Sequence, residues 1–294
     1  MTFLLSCRDN RKEKNIPIAG LLRTGYCSDF TVNKYNMKII TSKDNQIYKN
    51  AVRLTKKKYR DESGMYLLEG IKPLNDALDM GISVRNIFVC DGTGNTADYP
   101  EAITAVLDRK LFEKLSDTET SQGVIAVAEK LCCDAQTFAN KAGFEGSNIV
   151  VLDRLQDLGN IGTIVRTAEA AGYKGIMVVA GSGDIYSPKV VRAAAGSLFR
   201  MPVFFSETSE KAVMILKQMK KRIVTAALDA DRFYYQTDLT ENIALVIGNE
   251  GQGADEVFMK SSDIKIRIPM EGSIESLNAA VAAGILMYQS QKIK

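Results

Sequence analysis

The 294-residue chain has no histidine. That absence removes His-containing zinc sites, the Ser-His-Asp and Cys-His nucleophile arrangements, and the commonest general base. Any chemistry must run on other groups. The five cysteines (Cys7, Cys27, Cys90, Cys132, Cys133) are odd in number and form no C-x-x-C pair, a poor disulfide framework. Free thiols and no metal site are expected. Long apolar runs are also missing: none approaches the roughly 20 residues that cross a bilayer. Phe3-Leu4-Leu5 is cut short by Arg8-Asp9-Asn10-Arg11-Lys12, unlike a signal peptide. The expected compartment is the cytoplasm, with no membrane partner.

What is present is the composition of a globular protein, 46% hydrophobic and 25% charged, long enough for one large or two ordinary domains. The net charge of +3 hides an uneven distribution. Residues 1–60 hold 14 Lys and Arg against 4 Asp and Glu, leaving 24 against 31 for the rest. Within this basic front, Arg53, Lys56, Lys57, Lys58 and Arg60 fall on a helix predicted between Asn45 and Gly64. A solvated helix face explains such a run, and nucleic-acid phosphate is the natural alternative partner. Residues 1–36 show no period. Either Met37 is the natural start or the preceding segment is a disordered arm, and an arm is drawn over residues 1–45.

From Met65 the pattern alternates: strand 65–69, helix 71–80, strand 86–90, helix 100–107 and strand 124–128. This predicts a small α/β domain over residues 46–130. Residues 131–147 read as a linker or boundary helix. A second domain, 148–294, follows with strands predicted at 149–153, 175–180, 201–205, 222–228, 243–247 and 264–268. Helical patterns separate most of them, as in a mostly parallel sheet covered on both faces.

The chemistry concentrates in three stretches. Ile243-Ala244-Leu245-Val246-Ile247 leads into Gly248-Asn249-Glu250-Gly251-Gln252-Gly253 and then a helical pattern. Ile264–Ile268 leads through Pro269-Met270 to Ser276-Leu277-Asn278 and a small-residue helix. Upstream, Asn160-Ile161-Gly162-Thr163-Ile164-Val165-Arg166 follows the strand ending at Asp153. Loops at the carboxyl ends of parallel strands are where open α/β sheets bind ligands. Taken singly, the glycines serve turns and Ser276 caps a helix. The glycine loop half-matches a dinucleotide fingerprint but lacks its third glycine and its downstream acidic residue.

Together the three stretches resemble the signature motifs of the SpoU/TrmH family of RNA ribose 2'-O-methyltransferases, in the SPOUT class. Asn160, Gly162 and Arg166 match the first motif, Gly248-Asn249-Glu250-Gly251 with Gly253 the second, and Ile268-Pro269-Met270 through Ser276-Leu277-Asn278 the third. The segment before residue 130 is similar to the substrate-recognition domain of two-domain members, with Ser121-Gln122-Gly123-Val124-Ile125-Ala126 its most characteristic run. The resemblance implies a C-terminal trefoil knot, a homodimer, and S-adenosylmethionine held largely by backbone groups of Leu228, Gly248, Ile268, Met270 and Leu277. It implies catalysis by Arg166 with Asn160, Glu250, Ser276 and Asn278, on structured RNA, with 23S rRNA the expected substrate.

A guanidinium hardly loses its proton in a protein. Arg166 is therefore expected to bind the phosphate beside the target ribose and stabilise the developing alkoxide, while Glu250 or that phosphate takes the proton. Gln122, Arg200 and the basic run of helix 45–64 are the RNA-binding candidates, and Ser197 is a further one. A tRNA methyltransferase, an RNA-binding protein that has lost transfer, and a nucleotide-dependent metabolic enzyme are the alternatives.

Overall fold

The computed structural model describes residues 37–93 and 99–291, so the arm or alternative start before Met37 lies outside the described residues. The first layer contains β1 (Lys38–Ile40), α1 (Gln46–Arg53), α2 (Lys57–Ser63), β2 (Met65–Glu69), α3 (Ile71–Asp79), β3 (Val84–Cys90), β4 (Thr104–Leu107), α4 (Arg109–Leu115) and β5 (Val124–Glu129). Its sheet runs β1-β4-β3-β5-β2, with β5 antiparallel to both its neighbours and the other pairs parallel.

Three expectations change here. Residues 104–107 form a strand, not the end of a helix 100–107, because Thr104-Ala105-Val106-Leu107 is paired on both sides, by β1 and β3. Only Glu101–Ile103 makes a 3-10 turn. The arm drawn over 1–45 stops short, since Lys38–Ile40 is the edge strand of this sheet, with Ile40 buried against the α1–α4 core. The helix expected over 45–64 is two helices, capped at its start by Asn45, whose Oδ1 accepts from the N–H of Ile47 (2.9 Å) and Tyr48 (3.3 Å).

After the boundary helix α5 (Ala135–Ala142), the chain builds β6 (Ile149–Leu152), α6 (Leu158–Ala170), β7 (Gly175–Val179), α7 (Pro188–Ala193), α8 (Ser197–Arg200), β8 (Val203–Ser206), α9 (Ser209–Gln218), β9 (Arg222–Ala226), β10 (Arg232–Phe233), β11 (Ile243–Ile247), α10 (Glu256–Ser261), β12 (Ile264–Arg267) and α11 (Ala279–Gln289). The seven strands are all parallel, in the order β10-β12-β9-β11-β6-β7-β8. Alternation along each strand divides the core. Val150 and Leu152 point into the cluster under α6 and α11, while Ile149 and Val151 point into the cluster under α5, α9 and α10. A parallel sheet covered on both faces needs such continuous apolar strands.

The two sheets share one core. Tyr66 and Leu68 of β2 and Leu74 of α3 belong to the same buried cluster as Val190, Val191 and Ala194 around α7. Tyr66 packs on Tyr186 at 5.0 Å between ring centroids, and the Tyr186 hydroxyl donates to the Leu131 carbonyl at 2.8 Å.

Candidate active site

The loops after β6, β11 and β12 converge at the carboxyl edge of the sheet. In the first, Asp153 is wholly buried. Burial pushes its carboxyl up from the ordinary value, and its Oδ2 accepts from the Asp255 N–H at 2.6 Å, which pulls the end of the second loop against the first. Arg154 follows with φ 56°, a left-handed conformation that is unfavourable for a side-chain-bearing residue. In that conformation its carbonyl accepts from Asn249 Nδ2 at 2.9 Å. Asp157 then caps α6, its Oδ1 accepting from the Asn160 N–H at 2.7 Å. This places Asn160 in the first turn of the helix.

In the second loop, Asn249 Oδ1 accepts from the N–H groups of Gly251 and Gln252, each at 3.0 Å, and its backbone pairs with Gly253. The turn is so tight that a Cβ on Gly248 would fall 2.2 Å from the Ala254 nitrogen. Only glycine fits there. In the third loop, Asn278 caps α11, its Oδ1 accepting from Ala280 N–H (2.9 Å) and Val281 N–H (3.3 Å).

With its oxygen committed to the helix, Asn278 donates through Nδ2 to Asn160 Oδ1 at 2.9 Å, and Asn160 Nδ2 donates to Glu250 Oε1 at 3.2 Å. One hydrogen-bonded chain thus joins residues 90 and 118 positions apart. Its polarity is set by the cap, so neither asparagine amide is free to flip. Glu250 also accepts from the N–H groups of Gln156 (3.3 Å) and Asp157 (3.2 Å). Partial burial pushes its carboxyl up, but bonds from its own N–H, from Asn160 and from these two amides outweigh that effect, and its pKa is lowered. A carboxylate so occupied is suited to holding the loops together and poorly suited to taking a proton.

Beside this network lies a cleft of about 930 Å³. Leu228, Gly248, Ile268, Met270 and Leu277 all line it, as do Glu250, Ser276 and Asn278. Leu228 is 63% exposed there, an apolar side chain without apolar cover. Of the residues lining it, Ile268, Met270, Glu275, Ser276 and Leu277 have backbone N–H groups that donate to no other group among the described residues. The lining carries Asp229, Glu250, Glu256 and Glu275 against Arg267 alone. Apolar walls, unused amides and negative charge fit an adenosine bearing a sulfonium cation, which is the form of S-adenosylmethionine.

Arg166 is placed differently. It lies in the third turn of α6, exposed and outside the cleft lining, and has no hydrogen-bond or ion-pair partner among the described residues. Among the RNA-binding candidates, Lys56 and Lys57 are exposed, Arg53 lies over the Tyr59 ring at 5.6 Å, and Lys58 pairs with Glu62 at 3.8 Å. Arg60 is a correction. It is 4% exposed, with its guanidinium donating to Asp184 Oδ2 (2.6 and 2.8 Å) and the Leu54 carbonyl (2.6 Å), so it has no surface charge to offer a phosphate. Arg200 is paired with Glu169, Gln122 Oε1 accepts from the Ile71 N–H at 2.9 Å, and Ser197 is buried.

Sequence reasoning passed over Gln156, Asp157 and Arg154. Asp157 was within reach, because an aspartate just before a helical pattern is a capping signal. The strained Arg154 left no mark in the residue pattern.

Comparison with known proteins places these features. Residues 147–288 match the SpoU rRNA Methylase family, and residues 45–126 the MRM3-like substrate binding domain. The chain is 34% identical to the 23S rRNA (guanosine(2553)-2'-O)-methyltransferase RlmP of Bacillus subtilis, over 86% of this chain and 98% of that protein. It is 30% identical to the 23S rRNA (uridine(2479)-2'-O)-methyltransferase of Streptomyces viridochromogenes, over 85% of this chain and 91% of that protein. Among solved structures, the AdoMet-bound rRNA methyltransferase from Sinorhizobium meliloti superposes with a TM-score of 0.78 at 30% identity, over 86% and 97% of the two chains. With its seven-stranded parallel sheet, its smaller N-terminal α/β layer and these matches along both parts, the chain belongs to the SpoU rRNA methylase family.

Proposed function

We infer that this chain methylates a ribose 2'-hydroxyl of 23S ribosomal RNA, with S-adenosylmethionine as the methyl donor. The observation that carries the reading is the Asn278–Asn160–Glu250 chain, which ties the three family motifs into one rigid wall of the cofactor cleft. The names of the two relatives support rRNA over tRNA as the substrate class. The two matched segments support a division into an RNA-recognition domain (46–130), a linker (131–147) and a methyltransferase domain (148–294).

The cofactor supplies a methyl group already activated on a cationic sulfur. The chain's own residues must then align the ribose and manage one hydroxyl proton. Backbone groups of Leu228, Gly248, Ile268, Met270 and Leu277, which line the cleft, would hold and orient the donor. The unpaired Arg166 guanidinium binds the phosphate next to the target ribose and lowers the energy of the developing alkoxide. Because Glu250 is held in hydrogen bonds with a lowered pKa, we give it the task of positioning, and the hydroxyl proton leaves to solvent as the Arg166-stabilised alkoxide forms. Asn160 and Asn278 fix the wall against which the ribose rests, and Ser276 stands in it.

The residues between β9 and α11 pass through the family's trefoil knot in this reading. We place the second copy of a homodimer on the exposed side of α6 and α11. There Val281 and Tyr288 of α11 are 52% and 55% exposed, and the contact between copies would bring the exposed Arg166 of α6 into the assembled site. Lys56, Lys57, Arg53 and Lys58 are the surface charges left to receive RNA. We place the enzyme in the cytoplasm, where its substrate is made; among the described residues no helix is long and apolar enough to cross a membrane.

The test is transfer of labelled methyl from S-adenosylmethionine to unmodified bacterial RNA, separated into ribosomal and transfer fractions. Label confined to 23S rRNA at an alkali-resistant linkage is expected. Label in tRNA alone, or cofactor binding with no transfer to any fraction, would overturn the substrate or the catalytic assignment respectively.

A further inference from the structure

We propose that Arg60 and Asp184 are positioning residues for methyl transfer. On this view their buried ion pair sets the loop after β7 and, through it, the loop that holds Glu250 and Asn160. The inference rests on the reading of the cleft as a methyl-transfer centre.

The pair joins the two sheets. Arg60 is on α2 of the small layer, and Asp184 lies between β7 and α7 of the large one. Arg60 Nε and Nη2 both donate to Asp184 Oδ2, at 2.8 and 2.6 Å, while Asp184 Oδ1 accepts from the Tyr186 N–H at 2.9 Å. The side chains are 4% and 10% exposed. A solvent-exposed pair of this kind would constrain little, whereas a buried, doubly donated one holds its loop to a single arrangement.

From Asp184 the path to the chemistry is short. The Gly183 N–H donates to the Leu155 carbonyl at 2.7 Å, and the Gln156 side-chain amide donates to the Gly181 carbonyl. Ser182 Oγ donates to the Leu152 carbonyl at 3.1 Å. Contact is so close that a Cβ on Gly183 would meet Ile161 Cδ1 and Leu158 Cδ2 at 2.9 Å, both on the first turns of α6. The loop after β7 therefore grips Leu155 and Gln156 directly. The next two amides along, those of Gln156 and Asp157, are the ones that hold Glu250, and Asp157 caps the helix turn bearing Asn160. A shift at Asp184 has no slack to absorb it before it reaches the transfer site. A displacement of about 1 Å in such a site can lower turnover by about a hundredfold, and a fraction of that shift by about tenfold.

The test replaces both charges at once, Arg60→Met with Asp184→Asn, so that no buried charge is left unpaired. The full chain is assayed with S-adenosylmethionine and undermethylated bacterial rRNA. The expected result is kcat lower by about tenfold, with the KM for RNA and the Kd for cofactor within about twofold. Amide exchange over residues 154–160, measured by mass spectrometry on cofactor-free protein, should be faster than in the parent. Unchanged kcat overturns the proposal, as does unchanged exchange. A raised KM at unchanged kcat also overturns it, because that pattern belongs to an RNA contact. Should the double variant lose its cooperative unfolding transition, Arg60→Lys, which keeps the charge but not the fork, is judged by the same readouts. If the parent itself transfers no methyl to RNA, the functional reading fails and this proposal falls with it; parental transfer left unchanged in the double variant overturns this proposal alone.

Discussion

Replacing Gly248 with alanine adds one methyl group where three backbone atoms already stand, at 2.2 Å (Ala254 N), 2.4 Å (Gly253 C) and 2.5 Å (Ala254 Cα). Side-chain Cβ atoms do not approach backbone below 3.0 Å, so the two ends of the loop must separate by at least 0.8 Å, the difference between 3.0 and 2.2 Å. No flexible side chain is available to yield. Overpacking of this kind costs about 1–3 kcal/mol, and backbone neighbours put it at the upper end. For a chain of this size that lowers Tm by roughly 2–4 °C per kcal/mol. The larger effect falls on function, because the displaced loop carries both Glu250 and one wall of the cofactor cleft. A misplacement near 1 Å corresponds to about a hundredfold loss in transfer. Calorimetric titration of S-adenosylmethionine and single-turnover transfer measure the two parts separately. Gly248→Ala with parental cofactor affinity and rate would refute the reasoning, since the loop would have a freedom that its packing denies.

Other perturbations separate the roles further. Asn278→Asp keeps the α11 cap but turns the donor facing Asn160 Oδ1 into an acceptor; Tm should stay close to the parent while kcat falls tenfold or more, whereas Asn278→Ala also loses about 1 kcal/mol of capping, read by thermal unfolding. Arg166→Ala should lose transfer to RNA by two orders of magnitude or more while leaving the Kd for S-adenosylmethionine within about twofold, because Arg166 is outside the cleft lining. Burial pushes Lys221 down to about 8, and its ammonium donates to the carbonyls of Phe144 (3.1 Å) and Ser147 (2.6 Å) and to Asn242 Oδ1 (3.0 Å). Between pH 8 and its ordinary value of 10.5 the unfolded chain binds this proton more tightly than the folded one. The parent should therefore gain stability over Lys221→Met as pH rises through that window, and urea unfolding at both ends of it checks the sign.

The large sheet was legible because parallel strands buried on both faces are uniformly apolar, as Ile243–Ile247 is. The small sheet was less so. Thr104–Leu107 is short enough to read as the end of a helix, and Lys38–Ile40 is a three-residue edge strand with two exposed side chains. The residues that line the cleft were named through the family resemblance of the three motifs, since nothing local announces that Asn160, Glu250 and Asn278 meet. Arg60 shows the limit most clearly. In the chain it is the last member of a basic run, and what separates it from Lys56 and Lys57 is an aspartate 124 residues away.

The core shared by the two sheets carries a consequence for selectivity. An enzyme whose recognition layer swings on a tether can adapt to several RNA shapes and close over each in turn. Here Tyr66, Leu68 and Leu74 are packed into the same apolar mass as α7, so the basic helix α2 and the transfer site keep a fixed separation. If α2 receives the RNA backbone as proposed, the protein would work as a caliper: an RNA would be accepted when the span between its gripped backbone and its reactive ribose already equals that separation, and rejection of other RNAs would need no moving part.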